Sequence, residues 1–258
     1  MAADPRRMSA RGRVYFWQGG SLWIGKGDGR AQRHAHHAHQ ISLPFDAPVL
    51  FRNEESGGWT EFSGAFVASD RAHELELHDV GIAQIFVEPE TAEGRALARR
   101  FGDVAIAALP ESERAQMAAM LRTAWDRGLS DPEMVATART AVALLTAAPM
   151  TGSAVDARIA RALALVRSRI RGPVRLADAA GAAALSPGRF RHLFVAETGA
   201  PFRSYVLWLR LNVAIERSMA GGSWTEAAHE AGFADSAHLT RTFKRMFGIN
   251  PATLVRTG

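Results

Sequence analysis

The stretch SWTEAAHEAGFADSAHLTRTFKRMFG, residues 223–248, is where the reading of this chain begins. Ser223 and Glu226 stand at the spacing of a capping box, so a helix is predicted to start there. Ala228 lies four residues before Gly232, and a small residue followed by a turn glycine lets two helices cross closely, as in a helix-turn-helix. A second helix is predicted from Asp235 or Ser236. Leu239, Phe243, Met246 and Phe247 fall on one of its faces; Ser236 or Ala237, His238, Arg241 and Arg245 fall on another. An ordinary surface helix with a solvated basic face has the same pattern, so one such unit is ambiguous.

The unit occurs twice. In LADAAGAAALSPGRFRHLFVAETG (176–199), Ala180, Ala184 and Leu185 match Ala228, Gly232 and Phe233 at an offset of 48. Phe190, Phe194 and Gly199 match Leu239, Phe243 and Gly248 at an offset of 49, so the extra residue falls in the turn. Ser186-Pro187 supplies a cap and a first-turn proline. Charge singles out the same region. Residues 1–154 carry 16 basic and 19 acidic side chains, whereas 155–258 carry 15 and 7. A compact basic domain beside a mildly acidic one points to a polyanion partner for the basic domain alone.

Residues 155–258 resemble the DNA-binding domain of the AraC/XylS family of bacterial transcription regulators. The resemblance rests on DARIARALALVRS, RFRHLF, ETGAPFRSYVLWLRLNVA and AGFADSAHLTRTFKRMFGINP. One position departs from it: residue 184 is Ala, where the family's first unit often has Gly. The resemblance implies two helix-turn-helix motifs joined by a central helix, with both recognition helices in the major groove of double-stranded DNA. Carried over by position, Arg191 and His192 would read bases from the first motif. Ser236, His238 and Arg241 would read them from the second. Arg can make two hydrogen bonds to guanine, while Ser and His discriminate less. Arg203, Lys244 and Arg245 are assigned to phosphate, which gives affinity without sequence. In the central helix Phe202, Tyr205, Val206, Leu209 and Val213 share a period that assigns them to the core.

The first ninety residues read differently. Short runs rich in aromatic and β-branched residues, at 14–17, 21–25, 34–43, 48–52, 60–68, 73–78 and 82–88, predict strands. Their spacing of about ten residues suits a small sandwich or barrel. HAHHAHQISL (34–43), taken as one strand, points His34, His36, Ala38 and Gln40 one way and His37, His39, Ile41 and Leu43 the other. This stretch resembles the first motif of a cupin barrel, and FVASDRAHEL (66–75) resembles the second, with His73 as its histidine. In cupins two His and a Glu on the first motif bind metal. Here Gln40 stands in place of the Glu, and a neutral amide is a poorer ligand for hard and borderline cations. The expectation is therefore an effector pocket lined by His34, His36, Gln40 and His73, with no metal and no cofactor; a structural or sensory metal site, and surface or core histidines without function, are the other readings.

From Thr91 the pattern turns helical. Pro110 and Asp131-Pro132 open two helices whose stripes, Met117, Leu121 and Trp125, then Val135, Ala138, Val142 and Leu145, suit either a dimer interface or packing on the barrel. APMTGSA (148–154) reads as a linker, and MAADPRRMSARGR (1–13) as a solvated start rather than a secretory signal. No apolar run approaches the roughly 20 residues of a membrane helix. The absence of cysteine excludes disulfides and thiolate chemistry and fits a cytoplasmic setting. No phosphate loop, dinucleotide fingerprint or Ser-His-Asp arrangement is visible.

The expected molecule is thus a multidomain α+β protein. A cupin-like β-barrel sensor (1–90) leads through a helical connector or dimerisation region (91–153) to an all-α double helix-turn-helix domain (154–258). Its expected function is sequence-specific DNA binding under control of a small-molecule effector, without enzyme activity. RNA polymerase and a second copy of the chain are further partners of such a regulator; a membrane is not. The rival is a cupin-type metal-dependent enzyme with an accessory nucleic-acid-binding domain.

Overall fold

The computed structural model describes residues 8–146 and 155–257. It has an N-terminal sheet-rich region and a C-terminal helical region. The sheet is built on three long strands: β1 (Ser9–Trp17), β2 (Gly20–His34) and β7 (His73–Val87). Short strands β3 (His39–Pro44), β4 (Val49–Arg52), β5 (Thr60–Phe62) and β6 (Ala65–Val67) fill in around them. The main path runs β8-β6-β3-β7-β2-β1-β9, where β8 is Ile106–Ala108 and β9 is Leu254–Arg256, and β4 pairs with β7 and β5. The path ends at β8 and β9 and does not close.

Several sequence expectations change here. Residues 34–43 are not one strand: β2 stops at His34 and β3 starts at His39, with a bend between them. The run 60–68 splits into β5 and β6, while 73–78 and 82–88 are one continuous strand. The solvated start fails from Met8 onward, because Met8 is buried and Ser9–Arg13 pairs with Lys26, Gly27 and their neighbours on β2. The connector is not purely helical, since β8 pairs with β6. The C-terminal region also ends in a strand: β9 runs parallel to β1, with Leu254 opposite Ala10. The linker at 148–154 lies outside the described residues.

Between the two regions lie α1 (Ala92–Phe101), α2 (Glu111–Asp126) and α3 (Asp131–Thr146). Their apolar stripes settle the choice left open by the sequence. Met117, Leu121, Ala138, Val142 and Leu145 are buried in one core with Leu22, Ile41, Phe66 and Ile85 of the sheet. These stripes pack on the sheet and are not available to a dimer.

The C-terminal region comprises α4 (Ala157–Ser168), α5 (Leu176–Ala182), α6 (Pro187–Thr198), α7 (Phe202–Met219), α8 (Trp224–Glu230) and α9 (Ser236–Phe247). The caps fall where the sequence put them. Ser186 caps α6, Asp235 caps α9, and the Ser223–Glu226 capping box opens α8. Ala184 occupies the left-handed region (φ 53°), as Gly232 does in the second turn (φ 75°). Phe202, Tyr205, Val206 and Leu209 are buried and Val213 is half-buried, as expected. Leu207, Trp208, Leu211, Ala214 and Ile215 are buried too. Helix α7 is enclosed on nearly every side, because the N-terminal region packs on it as well as the two motifs.

Candidate functional site

The recognition helices come first. On α6, Arg191 and His192 are exposed, beside Gly188. On α9, Ser236, Arg241 and Lys244 are exposed, while His238 is half-buried with its ring edge against Phe233 (centroids 5.2 Å apart). The opposite faces, Phe190 and Phe194 on α6 and Leu239 and Phe243 on α9, are fully buried. Each helix therefore presents a polar, arginine-bearing face on a rigid apolar base, an arrangement suited to base edges in a major groove. Arg203 is exposed at the start of α7. Arg245 is exposed as well, but it lines a depression shared with His34, His36, His37 and Asp70 of the N-terminal region.

The two regions meet over an extended joint. The Gln32 N–H donates to the Gly248 carbonyl (3.0 Å), and the Ala35 N–H to that of Arg245 (3.4 Å). Trp23 stacks at a tilt on Phe247 (5.0 Å) and Phe86 (5.3 Å). Ala38 and Phe86 of the sheet belong to the same core as α4–α9. At the other side of the joint lies a buried charged cluster that the sequence did not reveal. Glu88 accepts from Arg167 Nη2 (2.5 Å) and from the Trp208 indole N–H (3.1 Å), and Glu90 pairs with His37 (2.9 Å). Burial, then the charge of Glu90, raises the Glu88 pKa. Burial opposes charge on His37, but the hydrogen bond and charge of Glu90 outweigh it and raise its pKa. The only hint in the sequence was two glutamates closing an apolar strand in IFVEPE.

The histidine stretch divides three ways. His34, His36 and His73 gather into one buried group, with Gln40 hydrogen-bonded to His36 (2.9 Å). His37 turns to Glu90 and Tyr205. His39 turns to the Ser69 backbone and Phe66. The expected grouping of His34, His36, Gln40 and His73 thus holds in space, although a bend, and not strand alternation, produces it. Burial lowers the pKa of His34 to about 3 and those of His36 and His73 in the same direction, so all three rings are neutral.

Beside this group is a mostly apolar cleft of about 780 Å³, open mouth included. Its walls come from the sheet (Trp23, Leu77, Phe86) and from the helical region (Phe247, Ile249, Leu254), and it reaches His34 and Gln40. His36 and His73 do not line it. At its rim, Arg13 is paired with Asp131 and Lys26 with Asp79, whereas Arg11 has no acidic partner among the described residues.

Two buried recognition-helix bases joined by one central helix define a double helix-turn-helix protein. Residues 179–257, under a third of the chain, match the family described as a helix-turn-helix domain. The transcriptional activator RhrA of Rhizobium meliloti (strain 1021) is 33% identical over 88 residues, which is 33% of this chain and 28% of that protein. The match therefore spans under a third of the relative. Among solved structures, ToxT from Vibrio cholerae O395 has the same overall fold, with a TM-score of 0.57 at 13% identity, covering 95% of this chain and 94% of that one. ToxT from Vibrio cholerae strain SCE256, bound to an unsaturated fatty acid, has a TM-score of 0.53 at 12% identity over 97% and 95% of the two chains.

Proposed function

We propose that this chain is a sequence-specific, DNA-binding transcription regulator whose N-terminal region binds a small effector. The observation that carries the reading is the pair of exposed arginine-bearing faces on α6 and α9, in a domain with a large excess of basic residues. Arg191, His192, Ser236, His238 and Arg241 read bases; Arg203 and Lys244 hold phosphates, with Arg245 joining them from the edge of the joint. The sensor is a cupin-like sheet within residues 1–90, left open and not closed into a barrel, followed by the connector (91–153) and the DNA-binding domain (154–258). The reading makes the protein a cytoplasmic regulator and not an enzyme, working with RNA polymerase and as a homodimer through a surface other than the α2 and α3 stripes.

The effector's place is the cleft, because its walls come from both regions. A molecule there contacts Phe86 and Trp23 on one side and Phe247 and Ile249 on the other. Its affinity then depends on whether α9 stays docked, and that difference is what lets it shift DNA binding. An apolar body suits the walls, and an acidic head suits Arg11; the fatty acid bound to ToxT has this chemistry.

The test is selection of double-stranded fragments from a random library by the intact chain, with and without a long-chain fatty acid. Helix α7 has 18 residues, about 27 Å at 1.5 Å per residue, shorter than one turn of straight B-DNA at about 34 Å. The expected site is asymmetric, with two contacted segments one turn apart and a bend between them. Failure to enrich any duplex sequence contradicts the reading. A single short segment shows that only one motif reads DNA.

A further inference from the structure

The recognition face of α6 carries one side chain that the base-reading assignment leaves without a role. Val195 follows Arg191 by four residues and His192 by three, so it lies on their face, one turn further along. It is 42% exposed. Among the described residues, the only other large apolar side chains at least as exposed are Val104, shortly before β8, and Val255, on the edge strand β9. The apolar base of α6 is complete without Val195: Phe190 and Phe194 are fully buried, and Leu193 is half-buried. Packing inside the chain therefore does not account for a valine at this place.

A second position on the same face is also unexplained by the chain itself. Gly188, seven residues earlier, is exposed, and a Cβ built on it would meet nothing within 4 Å. It lies within α6. Glycine weakens a helix relative to alanine, and neither a turn nor a close neighbour requires it here. The second unit has Ala237 and Lys244 at the equivalent places. The first unit thus has no side chain at one end of its reading face and a short apolar one at the other, with Arg191 and His192 between. A helix trimmed in this way can lie close against an outside surface. At its apolar end that surface has to offer an alkyl group.

We infer that Val195 is a specificity-determining residue that selects thymine by packing on its 5-methyl group in the major groove; this rests on the regulator reading proposed above. The thymine methyl is the one alkyl group that base pairs present in that groove. Every other signal there is a hydrogen-bond donor or acceptor, which a valine side chain cannot answer. Val195 and Arg191 are four residues apart, about 6 Å along α6 at 1.5 Å per residue. Successive nucleotides of one strand are about 3.4 Å apart along the duplex, so the thymine lies about two base pairs from the pair read by Arg191. On α9 the equivalent side chain is Lys244, an ammonium suited to phosphate, and the second unit makes no methyl contact at that place.

The test takes the duplex that the intact chain enriches from the random library and replaces each thymine in turn by deoxyuridine, which removes only the methyl group. One replacement, in the segment whose preference Arg191→Ala relaxes, should weaken binding about fourfold, the value of one buried methyl-sized group. Val195→Ser should bind the thymine and uracil duplexes equally. Val195→Thr, which differs from Val195→Ser by one methyl group, should keep the preference. Serine, threonine and valine have similar helix propensities, so the pair compares two folded chains. Replacements in the second segment should respond to neither variant. Uracil without effect anywhere in the first segment overturns the inference, as does a thymine preference that Val195→Ser retains. Failure to enrich any duplex contradicts the regulator reading and the methyl contact together, whereas an enriched duplex with indifferent thymines removes the methyl contact alone.

Discussion

The two helix-turn-helix units are near copies in sequence and differ in what surrounds them. The first, α5–α6, touches the N-terminal region through a half-buried pair, Arg95 with Glu197 (2.9 Å). The second is built into that region. The end of α9 is hydrogen-bonded to β2, Phe247 stacks on Trp23, and the chain beyond it adds a strand to the sheet. Equivalent glycines record the difference. Gly199 and Gly248 both close their helices in the left-handed conformation, at φ 76° and 71°. A Cβ on Gly199 meets nothing within 4 Å, whereas one on Gly248 falls 2.1 Å from the Gln32 carbonyl oxygen. Two copies of one motif thus differ in attachment: the first is lightly held, and the second is built into the sheet.

The largest effect should come from the buried cluster that seats the helical region on the sheet. Glu88→Ala leaves Arg167 and the Trp208 indole without their acceptor, and should cost about 3 kcal/mol in denaturant unfolding. Arg95→Ala, which breaks the first unit's half-buried pair, should cost less, about 1 kcal/mol. Equal losses would mean that both units are held alike.

Next, Gly248→Ala should cost more than about 2 kcal/mol, because a steric clash adds to the left-handed strain. Gly199→Ala should show that strain alone, about 1 kcal/mol. Thermal unfolding of the two variants side by side checks the difference.

On DNA the units should behave alike. Arg191→Ala and Arg241→Ala should each relax the preference at one base pair by roughly 1–3 kcal/mol, while Lys244→Ala weakens binding to all sequences. Binding to a panel of single-base operator variants separates these outcomes. If Arg241→Ala leaves every preference intact, the docked unit does not read bases.

The smallest effect is in the first turn. Ala184→Gly should stabilise the chain by about 0.5–1 kcal/mol, since Ala184 sits where its counterpart is Gly232.

Local signals were legible in the sequence, and long-range ones were not. Caps and helical periods placed α6, α8 and α9, because Ser186, Ser223 and Asp235 act on residues three or so positions away. The match between the two units made the recognition faces readable. The stripes of α2 and α3 were visible, but not what they pack against, because an apolar stripe carries no address. The same limit hid the full burial of α7: Leu207 and Trp208 break its one-sided period because a second region covers them. The histidines show the limit most sharply. Alternation along one strand grouped His34, His36 and Gln40, yet the strand breaks after His34, and the group forms only because β7 brings His73 alongside. Nothing local marked Val255 as a sheet residue or Glu88 as the acceptor of an indole 120 residues away.

The central claim is that the second unit is docked on the N-terminal region in the free protein. Residue-resolved amide exchange tests it most directly, at Gln32, whose N–H donates to Gly248, and at Thr257, whose N–H donates to Gly12 (both 3.0 Å). Docking predicts that both amides exchange as slowly as those inside the β2–β7 pairing. Exchange at the rate of an unprotected strand edge, with the sheet interior still protected, would contradict it.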